Sequence, residues 1–148
     1  MYLRKWWVMI KKSFKELTIN ELYDILKLRS EIFILEQNCA YQDLDDVDKR
    51  AEHYFILNDK SEVISYARFI PENIKYETAS IGRVVTKKEA RKNGYSKRII
   101  EEMIRDHKQQ ITISAQVQAQ PFYEKIGFKT VGNIYLEDDI PHIKMTIN

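Results

Sequence analysis

Cysteine is nearly absent from this chain: Cys39 is the only one in 148 residues. An intrachain disulfide is therefore excluded, and no zinc-ligand spacing exists. A reducing, cytoplasmic setting is the expectation. Glycine is scarce too, with four residues. Neither G-x-G-x-x-G nor G-x-x-x-x-G-K-[ST] occurs, which sets aside a dinucleotide fingerprint and a Walker loop. No apolar run approaches the roughly 20 residues of a membrane span, so no membrane partner is expected. Net charge is only +2, too little for a global pull toward nucleic acid. Repeats, linkers and low-complexity stretches are missing as well. The acidic stretch lacks the ligand order and central glycine of a calcium loop, so no metal is expected.

What remains is ordinary for a folded protein. Apolar residues make up 44% and charged residues 31%, which argues against disorder. The length suits one domain, residues 1–148, with a single core. The start, MYLRKWWVMIKK, has too short an apolar part for a signal peptide. Met9 is an alternative start, which would make the first residues an N-terminal extension. Trp6 and Trp7 could pack on the sheet or on a second subunit, which makes a homodimer plausible.

A first strand is expected at about 10–16. Thr18-Ile19-Asn20-Glu21 is a capping-box signature that opens a helix. A 100° step per residue puts Asp24, Lys27 and Glu31 on one face and Leu22, Leu26 and Phe33 on the other. Arg29 and Glu36 then fall inside the apolar sector, where charges need partners. Either each is tied to a neighbouring strand or backbone, or the helix end lines a polar pocket and Glu36 faces substrate. Asn38 to Arg50 is rich in acid (Asp43, Asp45, Asp46, Asp48). It reads as a solvated loop, or as a lip that attracts a cationic amine. A hairpin follows, with strands at about Glu52–Asn58 and Glu62–Ile70. His53 shares a face with Phe55 and Leu57, as a core or rim histidine does. Arg68 and Arg83 lie on apolar strand faces and could pair with the acidic loop or with Glu36.

Ser80 to Lys108 organises the rest. Ile81 to Thr86 is a β-branched strand. Lys87 to Arg98 holds six basic residues in twelve, with Gly94 among them. Ile99, Ile100, Met103, Ile104 and His107 then recur at helical spacing. A strand, a basic glycine turn and a helix N-terminus form a physical recipe for holding phosphates. A nucleic-acid partner is not expected, because no aromatic platform interleaves with the basic cluster. Ile111–Ala115 is a strand, and a helix opens near Ala119–Gln120 with Pro121 in its first turn and Gly127 as its stop. Strands at Thr130–Leu136 and Ile140–Ile147 flank an acidic turn, Glu137-Asp138-Asp139. The two strands around the crossover helix should be parallel and the hairpins antiparallel. The fold class is therefore α/β (α+β), with a mixed central sheet and helices on both faces.

Val85 to Ser96 reads V-T-K-K-E-A-R-K-N-G-Y-S, which resembles the acyl-CoA motif R/Q-x-x-G-x-G/A of the GNAT family of N-acetyltransferases. Arg91, Gly94 and Ser96 match in order, with serine in place of the usual glycine or alanine. F-Y-E-K-I-G-F, from Phe122 to Phe128, is similar to a second family signature. LRSEIFILEQNCAYQDLD, YARF, IGRVV, AQ and EDDIPHIKM look like the ElaA-type subgroup, and together they span nearly the whole chain. The resemblance implies acetyl-CoA as co-substrate, an amine acceptor, and CoA entering a gap between two splayed parallel strands. It places the pyrophosphate on the turn of Lys92, Asn93, Gly94, Tyr95, Ser96 and Lys97, with Arg91 before it. It places the polariser of the thioester carbonyl in the main chain of Val84, Val85 and Thr86, and the proton donor to sulfur at Tyr123. Many members bind pantetheine with an asparagine seven residues before that tyrosine; here it is Gln116. Glu36 and His142 are the candidates for general base. The reading from another class is a non-catalytic acyl-CoA-binding or sensing module.

Overall fold

The computed structural model describes residues 6–148. Seven strands form one sheet: β1 (Trp7–Ser13), β2 (Glu52–Asn58), β3 (Val63–Ile70), β4 (Ala79–Thr86), β5 (Ile111–Gln116), β6 (Lys129–Glu137) and β7 (Ile140–Ile147). Their spatial order is β1-β2-β3-β4-β5-β7-β6. The neighbours β4 and β5 are parallel, and every other pair is antiparallel. Three helices, α1 (Ile19–Arg29), α2 (Tyr95–His107) and α3 (Gln120–Ile126), cover the two faces. The mixed sheet is thus as the element order predicts, with α2 as the crossover a parallel pair requires.

Strand alternation sorts the core. Phe55, Tyr66 and Val85 face α1, which meets them with Ile25 and Leu28, helped by Ile32 beyond its end. Tyr54, Ile56, Ala67 and Phe69 face the other way, toward Ile99, Ile100 and Met103 of α2. Tyr123 of α3 and Phe128 extend that second core beneath Ile113 and Met145. Among the described residues, no helix is long and apolar enough to cross a membrane.

Two expectations about the first forty residues need correction. The first strand begins at Trp7, not at residue 10, and ends at Ser13. Its alternation explains this: Trp7, Met9 and Lys11 point to the α2 side. There Trp7 packs edge-on against Tyr95 at 5.9 Å, with Arg98 over its ring at 5.2 Å, and Lys11 bonds Asp106 at 2.7 Å. Residues 7–9 are therefore part of the sheet; residues 1–5 lie outside the described ones. Helix α1 does start at the capping box, where Thr18 and Glu21 exchange bonds of 2.9 and 3.0 Å. Its buried face, however, is Ile25, Leu28 and Arg29, while Leu22, Leu26 and Phe33 are only half-buried. The chain then changes pitch. Ser30–Glu36 is a π-helix, with Gln37 and Cys39 donating to the carbonyls five residues back. Wider turns make the side chains lag an α-helical wheel, by roughly a third of a turn over seven residues. Arg29 stays inside, and Glu36 comes out into solvent.

Candidate active site

Strands β4 and β5 pair only at Ala79↔Ile111 and Ser80↔Thr112. Beyond that point they part, so the backbone groups of residues 81–86 that face β5 have no ladder partner. A cavity of about 310 Å³ opens between them, lined by Ile81, Gly82 and Val84 on one wall and Ile113, Ala115 and Gln116 on the other. A bulge shapes the first wall. Tyr66 pairs with Val85 and Arg68 with Gly82, so Ala67 faces both Arg83 and Val84. Arg83 sits at φ +53. Such a bulge re-aims the backbone that follows it, here Val84, Val85 and Thr86.

Past Thr86 the chain makes a short 3-10 turn (Lys88–Ala90) and enters α2 through Gly94. Gly94 is at φ +75, a conformation glycine takes without strain. No side chain caps this helix, and its first intrahelical acceptor serves Arg98. The N–H groups of Tyr95, Ser96 and Lys97 are left for an anion. The Lys92 and Lys97 side chains stand exposed beside them. Arg91 and Asn93 instead build the turn. Arg91 donates to the Thr86 carbonyl at 3.1 Å, and Asn93 donates to the carbonyls of Ala90 and Arg91. The Ser96 side chain links this turn to the sheet. Its hydroxyl meets Thr86 Oγ1 at 2.6 Å, and Thr86 Oγ1 meets Ser65 at 2.8 Å. This hydroxyl chain fastens the helix start to the end of β4. Glycine or alanine there would lack it.

Tyr123 lines the cavity from α3. Its ring lies edge-on to Phe122 and Phe128, and its hydroxyl has no hydrogen-bond partner among the described residues. Burial alone pushes its pKa well above the ordinary phenol value, so it holds its proton at any physiological pH. His142 approaches from β7, opposite Gln116. Its Nδ1 lies 2.7 Å from the Ile140 carbonyl, which can only accept, so Nδ1 carries a proton, and in the neutral ring the lone pair is on Nε2. Nε2 is 3.6 Å from Glu137, which also accepts from Ser114 at 3.2 Å. Gln116 is held between Gln37 and Gln118 on the cavity wall.

A family model described as acetyltransferase (GNAT) domain matches residues 26–148. The chain belongs to the GNAT acetyltransferase family. A UPF0039 protein of Schizosaccharomyces pombe is 39% identical over 144 residues, covering 93% of this chain and 95% of that one. The crystal structure of Escherichia coli ElaA is similar at a TM-score of 0.88 and 30% identity, covering 96% of this chain and 99% of that one. An acyl-CoA N-acyltransferase from Pseudomonas aeruginosa gives 0.86 and 34%, with 95% and 98% covered. Within the GNAT family this is an ElaA-type member, and the family's chemistry is acyl-CoA-dependent acyl transfer.

For this GNAT protein, the acidic loop runs along the surface but most of its acid is turned inward. Three of its four aspartates are tied to arginines, and Asp46 stays in solvent, 3.5 Å from Lys49. Arg29 bonds Asp43 at 2.9 Å and Asp48 at 2.8 Å. Arg68 bonds Asp48 at 2.9 Å and Asp45 at 2.6 Å. Arg83 bonds Asp45 at 3.4 Å and Asp43 at 2.6 Å. Each aspartate bridges two arginines, and each arginine two aspartates, in a closed ring of zero net charge. Burial opposes the charged form of Asp45, but Arg68 and Arg83 outweigh it and hold the carboxyl down at about 2. Asp48 is lowered by Arg29 and Arg68 against the same opposition. His53 joins from beneath, within 2.7 Å of the Tyr66 hydroxyl and 2.8 Å of the Asp48 carbonyl. Burial lowers its pKa, and it is a core histidine. Glu36 does not reach the cavity. It pairs with Arg91 at 2.8 Å, steadying the turn before α2. Sequence reasoning took the acidic turn around Glu137 only as a neighbour of His142, with no contact to an acceptor, and it passed over Lys75, which also lines the cavity.

Proposed function

We propose that this protein moves an acetyl group from acetyl-CoA directly to a primary amine of a small molecule or protein, as a single cytoplasmic domain. One observation carries the reading: Tyr123, whose proton-holding hydroxyl has no partner among the described residues, lines the gap between the two parted strands. The N–H groups of Tyr95, Ser96 and Lys97, with Lys92 and Lys97, would hold the pyrophosphate. The exposed strand edge at Val84, Val85 and Thr86 would align and polarise the thioester carbonyl, and the Gln116 amide would bond the pantetheine arm. His142 Nε2 accepts a proton as the amine nitrogen forms its bond to the carbonyl carbon. Tyr123 gives its proton to the sulfur as the carbon–sulfur bond breaks. The imidazolium so formed faces Glu137, which stabilises it. Arg91 and Glu36 shape the turn and take no proton.

The test is the melting temperature with acetyl-CoA, with CoA and ATP as controls. A ligand at 100 times its dissociation constant stabilises by about 2.7 kcal/mol, or about 5–10 °C for a chain of this size. A shift with both CoA forms but not ATP, followed by amine-dependent thiol release, supports the reading. A shift without release would make the protein a module that binds acyl-CoA and transfers nothing. No shift at millimolar acetyl-CoA refutes both.

A further inference from the structure

The acceptor end of the cavity carries fixed charges of both signs. With Asp43, Asp45 and Asp48 locked in the ring, the anions lining the cavity are Glu137 and Asp138. Both lie at the β6–β7 turn, where Asp138 and Asp139 take φ +51 and +63. That is a two-residue hairpin turn of the tight primed kind, and it holds the Asp138 backbone at the cavity edge. Opposed to them is Lys75, from the connection between β3 and β4. Its ammonium has no carboxylate within ion-pair distance among the described residues; it rests 5.6 Å over the Tyr76 ring. The residue is exposed taken whole, yet loss of solvent around its ammonium lowers its pKa, and Arg68 and Arg83 push the same way while Glu137 opposes them. Arg83 adds a second donor. Its Nε and Nη2 are spent on Asp43 and Asp45, and Nη1 has no partner among the described residues. Arg83 also lines the cavity, braced at 5.6 Å over Tyr41.

A simple cationic amine would meet the unneutralised Lys75 in this space, at a Coulombic cost. An apolar amine would strip water from Glu137 and Lys75 and return nothing. A molecule with an anionic group a few bonds from its amine satisfies both. We propose that the acceptor is a free α-amino acid: its carboxylate is held by Lys75 and Arg83 Nη1, and its amine is turned toward Glu137 and His142. The inference rests on the acetyl-transfer reading and adds the acceptor's class. Lys75 is a specificity residue in it. It takes no part in the chemistry.

The experiment is a turnover screen with acetyl-CoA, pairing the twenty amino acids with their decarboxylated amines and their amides, on the full chain and on Lys75→Met. The expected result is at least one amino acid preferred over its decarboxylated partner by tenfold or more in kcat/KM. In Lys75→Met that preference should shrink at least fivefold, through KM more than kcat, with the acetyl-CoA melting shift kept. A Lys75→Arg variant should restore most of the preference. Decarboxylated amines used as well as amino acids, or a preference indifferent to Lys75→Met, overturns the proposal while the acetyltransferase reading stands. So does an acetyl-CoA-binding protein that acetylates none of the twenty. Failure to bind acetyl-CoA at all would remove the underlying reading, and the proposal with it.

Discussion

Arg29→Met is the perturbation that tests the ring most sharply. Arg29 is 0% exposed and holds Asp43 and Asp48 at once. Methionine fills most of the space but leaves three carboxylates facing two guanidiniums. Breaking a buried pair from one side costs about 3–5 kcal/mol, because a charge is left behind. Here Asp43 keeps Arg83 and Asp48 keeps Arg68, so the low end, about 3 kcal/mol, is expected. That corresponds to a drop of about 6–12 °C in melting temperature. Asp48→Asn leaves one positive charge in excess and should cost about 2–3 kcal/mol. The double variant restores neutrality, so its loss should fall short of the sum by about 2 kcal/mol.

Urea unfolding of the four proteins near neutral pH gives the cycle. Additivity within about 0.5 kcal/mol would refute the ring as a coupled unit. Repeating the series toward acid adds an independent check. Asp45 and Asp48 bind protons more weakly in the folded chain than in the unfolded one. The ring's contribution is therefore complete above about pH 4, the unfolded carboxylate value, and is lost as pH falls toward the folded value near 2. Asp48→Asn, lacking one of these carboxylates, should show a shallower loss over that window.

Three further outcomes follow from the site. Tyr123→Phe should lower kcat by roughly 10²–10⁴ and leave the acetyl-CoA melting shift intact; loss of that shift would make the residue a packing element. Ser96→Ala should cost about 1 kcal/mol by cutting the 2.6 Å link to Thr86 while acetyl-CoA still binds, and failure to bind would mean that the hydroxyl serves the phosphate instead. His142→Gln should lower turnover and flatten the acid limb of the pH–rate profile; an unchanged profile would take the proton-acceptor role away from it.

Much of the fold was legible because local signals and tertiary packing agree. The capping box at Thr18, the proline and glycine that bracket α3, and the alternation in β2 each name an element whose bounds the structure nearly repeats. The basic turn was legible because a tight entry into a helix favours glycine at positive φ, and Gly94 supplies it. The π-helix was not legible. Nothing in S-E-I-F-I-L-E distinguishes it from an α-helix, since its pitch answers to what Ile32 and Phe33 pack against. The extrapolated wheel therefore put Glu36 in the interior beside Arg29, and the candidate base fell at the wrong place. Strand β1 was misplaced for a related reason. Its tryptophan is held by Tyr95 and Arg98, distant in sequence.

Charge shows the same limit from the other side. D-L-D-D-V-D and E-D-D look alike as strings, and either could draw in a cationic acceptor. Three-dimensional placement separates them. Arg29, Arg68 and Arg83 come from a helix and two strands, and each carries a positive charge too costly to bury alone. Asp43, Asp45 and Asp48 are spaced to meet all three, so the first string is spent on holding the 38–50 loop and the β4 bulge in place. Among the described residues the Glu137 string meets no arginine, and its field is left to the cavity. On the proposed reading, the acid that would matter to an incoming amine is therefore the shorter stretch. Because Lys75 lines the same cavity with no carboxylate at ion-pair distance among the described residues, the proposed acceptor would meet a pair of opposite charges where the sequence alone suggested only a negative one.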